Sequence, residues 1–142
     1  MNTKVMFSSN KDDWGTPQDL FDKLNNEFHF TVDLCADETN HKLEKYYSKE
    51  NDGMLADLRG ERVFCNPPYG NEIGKWVKKC LESGTLAVML LPARTDTKWF
   101  HEYIYNKAEV RFIRGRLKFI GGGSLNSAPF PSMIVIFKGE KE

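Results

Sequence analysis

The chain has 142 residues, of which 40% are hydrophobic and 28% are charged, so it is long enough for one globular domain and leaves no room for a second. Its longest apolar run, Leu86–Pro92, is too short to cross a bilayer, and no signal-peptide core follows residues 1–4, so we expect a cytoplasmic protein without a membrane partner.

The formal net charge is zero, but residues 1–70 carry 8 Lys/Arg against 13 Asp/Glu and residues 71–142 carry 12 against 7. Either the basic half faces an anion or the asymmetry is an accident of a solvated surface.

The three cysteines are Cys35, Cys65 and Cys80, an odd number without a CxxC pair. Two of them lie in apolar, strand-like runs. We interpret all three as small buried core residues, and we predict neither a disulfide framework nor a zinc site.

Hydrophobic periodicity and turn residues predict the elements of the first half of the chain. Residues 1–13 are polar and aperiodic, and we expect a flexible arm or an early loop there. Thr16 suits a helix N-cap, and Pro17 suits the first helical position. The elements predicted next are a helix over 17–28, a short strand over 30–34, a helical turn over 43–47, a tight turn over 51–53 and a buried strand over 63–65.

The second half continues the alternation of helices and strands. The predicted elements are a helix over 73–81 ended by Ser83-Gly84, a strand over 86–91, a helix over 97–105, and strands over 109–113 and 133–137. This order predicts a single α/β domain over 1–142, with an open, mostly parallel sheet and an antiparallel C-terminal edge. In such sheets ligands bind at the carboxyl ends of the strands, where we expect Asp33, Asn66 and Pro92 to meet.

The segment Asn66-Pro67-Pro68-Tyr69 directly follows a predicted strand. Its two prolines make a rigid loop without amide hydrogens, so the loop presents acceptors, namely the Asn66 side-chain oxygen and the Pro67 carbonyl. These acceptors could hold a planar amino group with its nitrogen turned towards an electrophilic methyl group. Tyr69 offers a flat face on which a flipped-out base could stack. A proline turn with an incidental Asn and Tyr is the alternative interpretation of the tetrapeptide alone.

The tetrapeptide matches the (D/N/S)PP(Y/F) signature of amino-group methyltransferases, and the wider chain resembles the small phage-type DNA adenine methyltransferases of the Dam family. The residues that carry this resemblance are Trp14-Gly15-Thr16-Pro17, Val32-Asp33-Leu34-Cys35-Ala36, Asn40, Tyr46-Tyr47, Asp52, Asn66-Pro67-Pro68-Tyr69-Gly70, Leu91–Thr97, Trp99-Phe100-His101 and Gly115–Phe119. The resemblance implies a Rossmann-like class I methyltransferase fold in a reduced form. It also implies S-adenosylmethionine as the methyl donor and the exocyclic N6 of adenine in DNA as the acceptor.

The resemblance further implies which residues hold the donor. They are Trp14, Thr16, Pro17, Asp33, Ala36 and Asp52. A carboxylate at Asp33 can bond the donor's amino group, and Asp52 would contact its adenosine part, although a simple turn-forming role of Asp52 fits as well. The sequence departs from the broad methyltransferase pattern after Asp33, where the usual glycine-rich turn is missing. The transfer itself would need positioning and electrostatic stabilisation, with no covalent nucleophile and no metal.

A basic stretch over 94–118 carries seven Lys/Arg against three Asp/Glu. We expect most of its interleaved aromatic residues to pack in the core. The candidates for contact with DNA phosphates are Arg94, Arg114, Arg116 and Lys118. The following loop, residues 121–131, is either a DNA-contacting or lid loop or a long hairpin connection.

Two other functions remain open at the level of sequence. NPPY loops also occur in enzymes that methylate protein glutamine, and related loops serve cytosine N4. The small size and the missing glycine-rich turn also leave room for a non-catalytic DNA-binding relic of the fold.

Overall fold

The computed structural model describes residues 14–48, 52–121 and 124–139. The helices are α1 (Gln18–Phe28) and α2 (Ile73–Glu82), with a 3₁₀ turn at Gly53–Leu55 and a π-helical turn at Phe100–Ile104. The strands are β1 (Val32–Asp33), β2 (Arg62–Cys65), β3 (Leu86–Pro92), β4 (Glu109–Phe112), β5 (Lys118–Gly121), β6 (Ser124–Ser127) and β7 (Ser132–Phe137). The predicted flexible arm over 1–13 lies outside the described residues.

Five strands form one sheet in the order β1-β2-β3-β7-β4, and β5 and β6 form a separate hairpin. Strands β1, β2 and β3 are parallel, whereas β7 is antiparallel to both of its neighbours. Because β7 opposes both β3 and β4, these two strands run in the same direction. The carboxyl ends of four strands therefore share one edge of the sheet, and the predicted reduced Rossmann-like α/β fold with an antiparallel edge is confirmed.

Helices cover both faces of this sheet. On α1, the ring of Phe21 packs edge-on against Phe64 of β2, with centroids 5.1 Å apart. The next residue of β2, Cys65, turns its thiol towards Cys80 of α2 and lies 3.7 Å from the thiol of Cys35. Neighbouring residues of a strand point to opposite faces, so α1 and α2 lie on opposite sides of the sheet. The apolar composition of β3, which is buried along almost its whole length, follows from this double cover.

Two predicted local features are wrong. Helix α1 begins after Pro17, which occupies the N-cap position, and the Thr16 side chain does not cap the helix. Residues 43–47 form a bend and an isolated bridge from Tyr46 to Asp33 rather than a helical turn, because they supply the partner that the edge strand β1 lacks. The Asp33 amide donates to the Lys45 carbonyl at 3.0 Å, and the Tyr47 amide donates to the Asp33 carbonyl at 3.0 Å.

The C-terminal connection is more ordered than a plain loop. Within 121–131, the segment Ser124–Ser127 pairs with Lys118–Gly121, so a hairpin connection is present there. Phe119 and Ala128 are buried, which anchors the hairpin to the domain. The predicted helix over 97–105 is present in part, but it ends in π-helical geometry, in which the Tyr105 amide donates to the Phe100 carbonyl at 2.9 Å.

Candidate active site

A cavity of about 500 Å³ opens where the carboxyl ends of β1 and β2 meet the loops that follow them. Its size is typical of small-molecule sites, which span roughly 300–1,000 Å³. The residues that line it are Trp14, Gly15, Thr16, Asp33, Leu34, Cys35, Ala36, Asp37, Asn40, Lys42, Tyr47, Ser48, Asp52, Gly53, Phe64, Asn66, Pro67, Pro68, Glu72 and Trp76. Asp33 and Asn66, predicted from separate strand ends, therefore do share one site, whereas Pro92 does not line it.

Asp33 is almost completely buried at the end of β1, with 2% of its surface exposed. One carboxylate oxygen, Oδ2, accepts a hydrogen bond from the Lys42 amide at 2.9 Å. The other, Oδ1, is buried without a partner among the described residues. Burial raises the pKa of Asp33 from 3.8 to about 6, against the opposing effect of backbone amides and nearby cations. A cationic or amine ligand at Oδ1 would compensate the buried charge.

Asn66 follows β2 directly, and its amide is fixed on one side. Its Nδ2 donates to the Trp14 carbonyl at 2.5 Å and to the Thr16 hydroxyl oxygen at 2.9 Å. Its Oδ1 is buried and has no partner among the described residues. The Thr16 hydroxyl, expected to cap a helix, instead contacts the predicted catalytic loop. Asn66 thus keeps one acceptor without a partner among the described residues, in a side chain that lines the cavity.

Trp76 on α2 adds a third unpartnered polar atom, since its indole Nε1 is buried without an acceptor among the described residues. Sequence reasoning missed this residue, because its spacing on an amphipathic helix indicates only core packing. Lys42, Gly53 and Glu72 were missed in the same way. Gly53 and Glu72 lie close to predicted site residues in the sequence, but nothing in their own residue types indicated a place in the cavity.

The described residues give the cavity a net negative charge. Within these residues, its lining includes four acidic side chains, Asp33, Asp37, Asp52 and Glu72, and one lysine, Lys42. Burial lowers the pKa of Lys42, although the neighbouring Asp33 acts in the opposite direction. This balance favours a ligand with positive charge and disfavours a phosphate group.

Asp52 and Gly53 line the cavity, and Asp52 has the turn-forming role that was one of its two interpretations, whereas its contact with a methyl donor stays a prediction. Its Oδ1 accepts from the Met54 amide at 3.0 Å, which caps the 3₁₀ turn, and the residue also lines the cavity. Gly53 packs so closely on β1 that an added Cβ would lie 2.7 Å from the Leu34 carbonyl oxygen. Glycine is therefore required for this part of the cavity lining to approach the sheet.

The remaining residues of the NPPY loop differ in position. Pro67 and Pro68 line the cavity, but Tyr69 does not, and it is 2% exposed. The Tyr69 hydroxyl donates to the Leu90 carbonyl at 2.9 Å, and its ring packs edge-on against Phe119 and Phe130. The flat face predicted for base stacking is thus buried under the loop in this structure.

The other predicted site residues fall into two groups. Trp14, Thr16 and Ala36 line the cavity, and Pro17 does not. The predicted phosphate-contacting residues Arg94, Arg114, Arg116 and Lys118 are all exposed and lie outside the cavity. Arg114 follows β4 at the same sheet edge as Asn66, and the Arg94 guanidinium lies 5.8 Å from the centre of the Phe130 ring. The basic residues therefore flank the site rather than form it.

The described part of the chain offers no ready metal site. No set of three or more His, Cys, Asp or Glu residues there is grouped as a metal ion would need. Among the same residues, no helix has the length and apolarity required to cross a bilayer. Cys65 and Cys80 are buried and Cys35 is half-buried. Burial is the main cause that raises the pKa of the Cys35 and Cys65 thiols, whereas the pKa of Cys80 is raised first by its hydrogen bond with Cys65 and then by burial.

Comparisons with known proteins agree over most of the chain. The family model described as DNA N-6-adenine-methyltransferase (Dam) matches residues 3–142. A protein of Haemophilus phage HP1 (strain HP1c1) named DNA N-6-adenine-methyltransferase is 33% identical over 147 residues, which cover 96% of this chain and 83% of that relative. A protein of the same name from Escherichia phage T1 is 32% identical over 132 residues, which cover 79% of this chain and 55% of that relative. The chain thus matches about half the length of the second relative.

Proposed function

Because this chain belongs to the DNA N-6-adenine-methyltransferase (Dam) family, we propose that it transfers a methyl group from S-adenosylmethionine to the exocyclic N6 of adenine in DNA. The observation that carries the proposal is that three buried polar atoms of residues around one cavity, Asp33 Oδ1, Asn66 Oδ1 and Trp76 Nε1, have no partner within the described ranges of the chain. Buried polar atoms without partners are costly, so a site with two free acceptors and one free donor is built for a polar ligand.

The cavity fits the proposed donor in charge and in hydrogen bonding. S-adenosylmethionine, when bound, supplies an electrophilic methyl group on a positively charged sulfur. Asp33 Oδ1 would accept from the α-ammonium group, and Trp76 Nε1 would donate to an oxygen or ring nitrogen of the same ligand. The acidic lining would offset the positive charge. Asp52 and Gly53 line the cavity beside the backbone that follows β1, which supports a place for the adenosine part there.

Asn66 and Pro67 would act on the acceptor base. The amino nitrogen of adenine is a poor nucleophile because its lone pair is delocalised into the ring. Asn66 Oδ1 and the Pro67 carbonyl would accept its two hydrogens, which favours a more tetrahedral nitrogen and directs the lone pair towards the methyl group. The Asn66 amide is already oriented by its contacts with Trp14 and Thr16, so this alignment costs little when the base enters.

The base must leave the duplex to reach this loop, because the amino groups of stacked bases are hidden. The exposed basic residues at the same sheet edge, Arg94, Arg114, Arg116 and Lys118, would contact the phosphates that flank the flipped nucleotide. Both named relatives come from bacteriophages, which supports action on DNA inside an infected bacterial cell.

The test uses Asn66→Ala and the wild type on adenine-containing duplex DNA, with methylated nucleosides identified by mass spectrometry. We expect the wild type to form N6-methyladenine and Asn66→Ala to lose at least about 100-fold in rate, as expected when an oriented polar contact to the reacting group is removed. Calorimetry should show S-adenosylmethionine binding to both proteins with similar affinity. Formation of N4-methylcytosine, methylation of protein glutamine, or absence of donor binding by the wild type would each contradict the proposal.

A further inference from the structure

The amide of Asn66 is held by two acceptors from the segment that precedes α1. Nδ2 lies 2.5 Å from the Trp14 carbonyl oxygen and 2.9 Å from the Thr16 hydroxyl oxygen. An amide nitrogen carries two hydrogens, so both are used. These contacts join residues about 50 positions apart in the chain, since the hydrogen bonds span 52 and 50 residues.

The chemistry of the Trp14 carbonyl decides which way the amide points. A backbone carbonyl can only accept a hydrogen bond, so the group that faces it must be Nδ2 and not Oδ1. If the amide turned over, two oxygens would face each other at this short distance. Oδ1 is therefore directed away from Trp14, and it remains a buried acceptor without a partner among the described residues.

Both anchoring residues are themselves held in place. The Trp14 ring packs edge-on against Phe119, with centroids 5.4 Å apart, and against Phe130 at 5.3 Å. Thr16 is 4% exposed and directly precedes the start of α1. The amide of Asn66 is thus positioned by a rigid segment rather than by a mobile arm.

We propose that Thr16 and the Trp14 carbonyl are positioning groups for the methyl transfer, and that they restrict position 66 to an amide. The inference rests on the proposed function for its kinetic part. The family signature allows Asp as well as Asn at this position, but a carboxylate here would place an oxygen against the Trp14 carbonyl. Only a protonated carboxyl group could donate to that carbonyl and keep its other oxygen free for the amino group of the base.

The first experiment compares Thr16→Val, Thr16→Ser and a control, Thr31→Val. Valine has the shape of threonine without the hydroxyl, whereas serine keeps it. Thr31 is exposed, and its hydroxyl also joins two distant parts of the chain away from the cavity. It donates to the Glu61 carboxylate and accepts from the Arg62 amide. We expect Thr16→Val to lower kcat by about 10- to 100-fold, the size expected when a reacting group loses its alignment, with the KM for DNA changed by less than about threefold. Thr16→Ser should regain most of kcat, and Thr31→Val should behave as the wild type.

The second experiment replaces Asn66 by Asp and follows kcat from pH 8 to pH 6 at saturating donor. We expect the kcat of Asn66→Asp relative to that of the wild type to rise about tenfold for each unit by which the pH falls. The reason is that one added proton gives the carboxyl group a hydrogen-bond donor towards the Trp14 carbonyl. A readout independent of turnover is the titration of the introduced carboxyl group by ¹³C NMR in the ligand-free protein. Its pKa should lie well above that of an exposed aspartate, because the Trp14 carbonyl and burial both favour the protonated form.

The outcomes separate this inference from the proposed function. A wild type that binds no donor or forms no N6-methyladenine contradicts the function, while the NMR titration still tests the orientation of the side chain at position 66. An active wild type with a fully active Thr16→Val variant overturns the positioning role of Thr16. A pH-independent activity ratio or an ordinary carboxyl pKa overturns the restriction to an amide.

Discussion

Replacing Asp33 by asparagine should stabilise the ligand-free protein while impairing donor binding. Burial raises the pKa of Asp33 from 3.8 to about 6, a difference of about two units. Each unit corresponds to about 1.4 kcal/mol, so the buried charge destabilises the folded state by about 3 kcal/mol at pH 8. The substituted amide also leaves a polar group without a partner, which costs about 1–2 kcal/mol. The net gain should be about 1–2 kcal/mol, or a rise in Tm of roughly 3–8 °C.

The pH dependence follows from the sign of this shift. The folded protein holds the Asp33 proton more tightly than the unfolded chain does, so the wild type becomes less stable as the pH rises between about 4 and about 6. The full destabilisation is present above about pH 6 and is absent below about pH 4. The advantage of Asp33→Asn should therefore be largest at pH 8 and should have shrunk strongly at pH 4.5.

The assay is urea unfolding of the wild type, Asp33→Asn and the control Asp22→Asn at pH 8 and pH 4.5. Asp22 is exposed on α1, and its removal should change little. Calorimetry with S-adenosylmethionine should show a decrease of about 10- to 100-fold in affinity for Asp33→Asn, because a hydrogen bond to a charged group is removed. A stability gain that is equal at both pH values, or a donor affinity that is unchanged, would refute the reasoning.

Three further substitutions probe other parts of the site. Trp76→Phe removes an indole N–H that has no partner among the described residues of the ligand-free protein, so it should weaken donor binding about 3- to 10-fold by calorimetry; an unaltered Kd would contradict the donor-binding role. Tyr69→Phe removes the buried hydrogen bond to the Leu90 carbonyl and should lower the free energy of unfolding by about 1 kcal/mol in urea, whereas an unchanged midpoint would show that this bond contributes nothing. The double substitution Arg114→Ala with Arg116→Ala should weaken DNA binding. It should also make the slope of the logarithm of the DNA-binding constant against the logarithm of the salt concentration shallower by about one for each phosphate that is no longer neutralised. Equal slopes for the wild type and the variant in fluorescence anisotropy would exclude a role of these two arginines in phosphate binding.

Much of the fold could be predicted because its signals are local. The strands over 62–65 and 86–92 are short apolar runs bounded by turn residues, and α2 has regular apolar spacing that ends before Ser83-Gly84. Parallel strands joined by crossovers must place their carboxyl ends at one edge, so Asp33 and Asn66 could be assigned to a shared site in advance.

The predictions that were wrong concern residues whose local structure or side-chain contacts depend on a partner distant in the chain. Residues 43–47 form no helical turn because the open edge of β1 needs hydrogen-bond partners, which outweighs their own weak helical pattern. Threonine is a residue type preferred at helix N-caps, but the Thr16 hydroxyl contacts Asn66 instead. Tyr69 is buried by Phe119 and Phe130, which lie in and beside the β5–β6 hairpin, a segment for which the sequence left a lid loop and a hairpin connection open.

The amino-acid sequence by itself therefore determined the fold class, the NPPY loop and the family, because these depend on residue type and order along short segments. Only the tertiary structure decided which atoms of the site are free. The orientation of the Asn66 amide depends on the Trp14 carbonyl, the raised pKa of Asp33 depends on burial, and the unpartnered Trp76 N–H depends on how α2 packs among the described residues. Hydrogen bonding and desolvation are set by neighbours in space, and those neighbours are far apart in the chain.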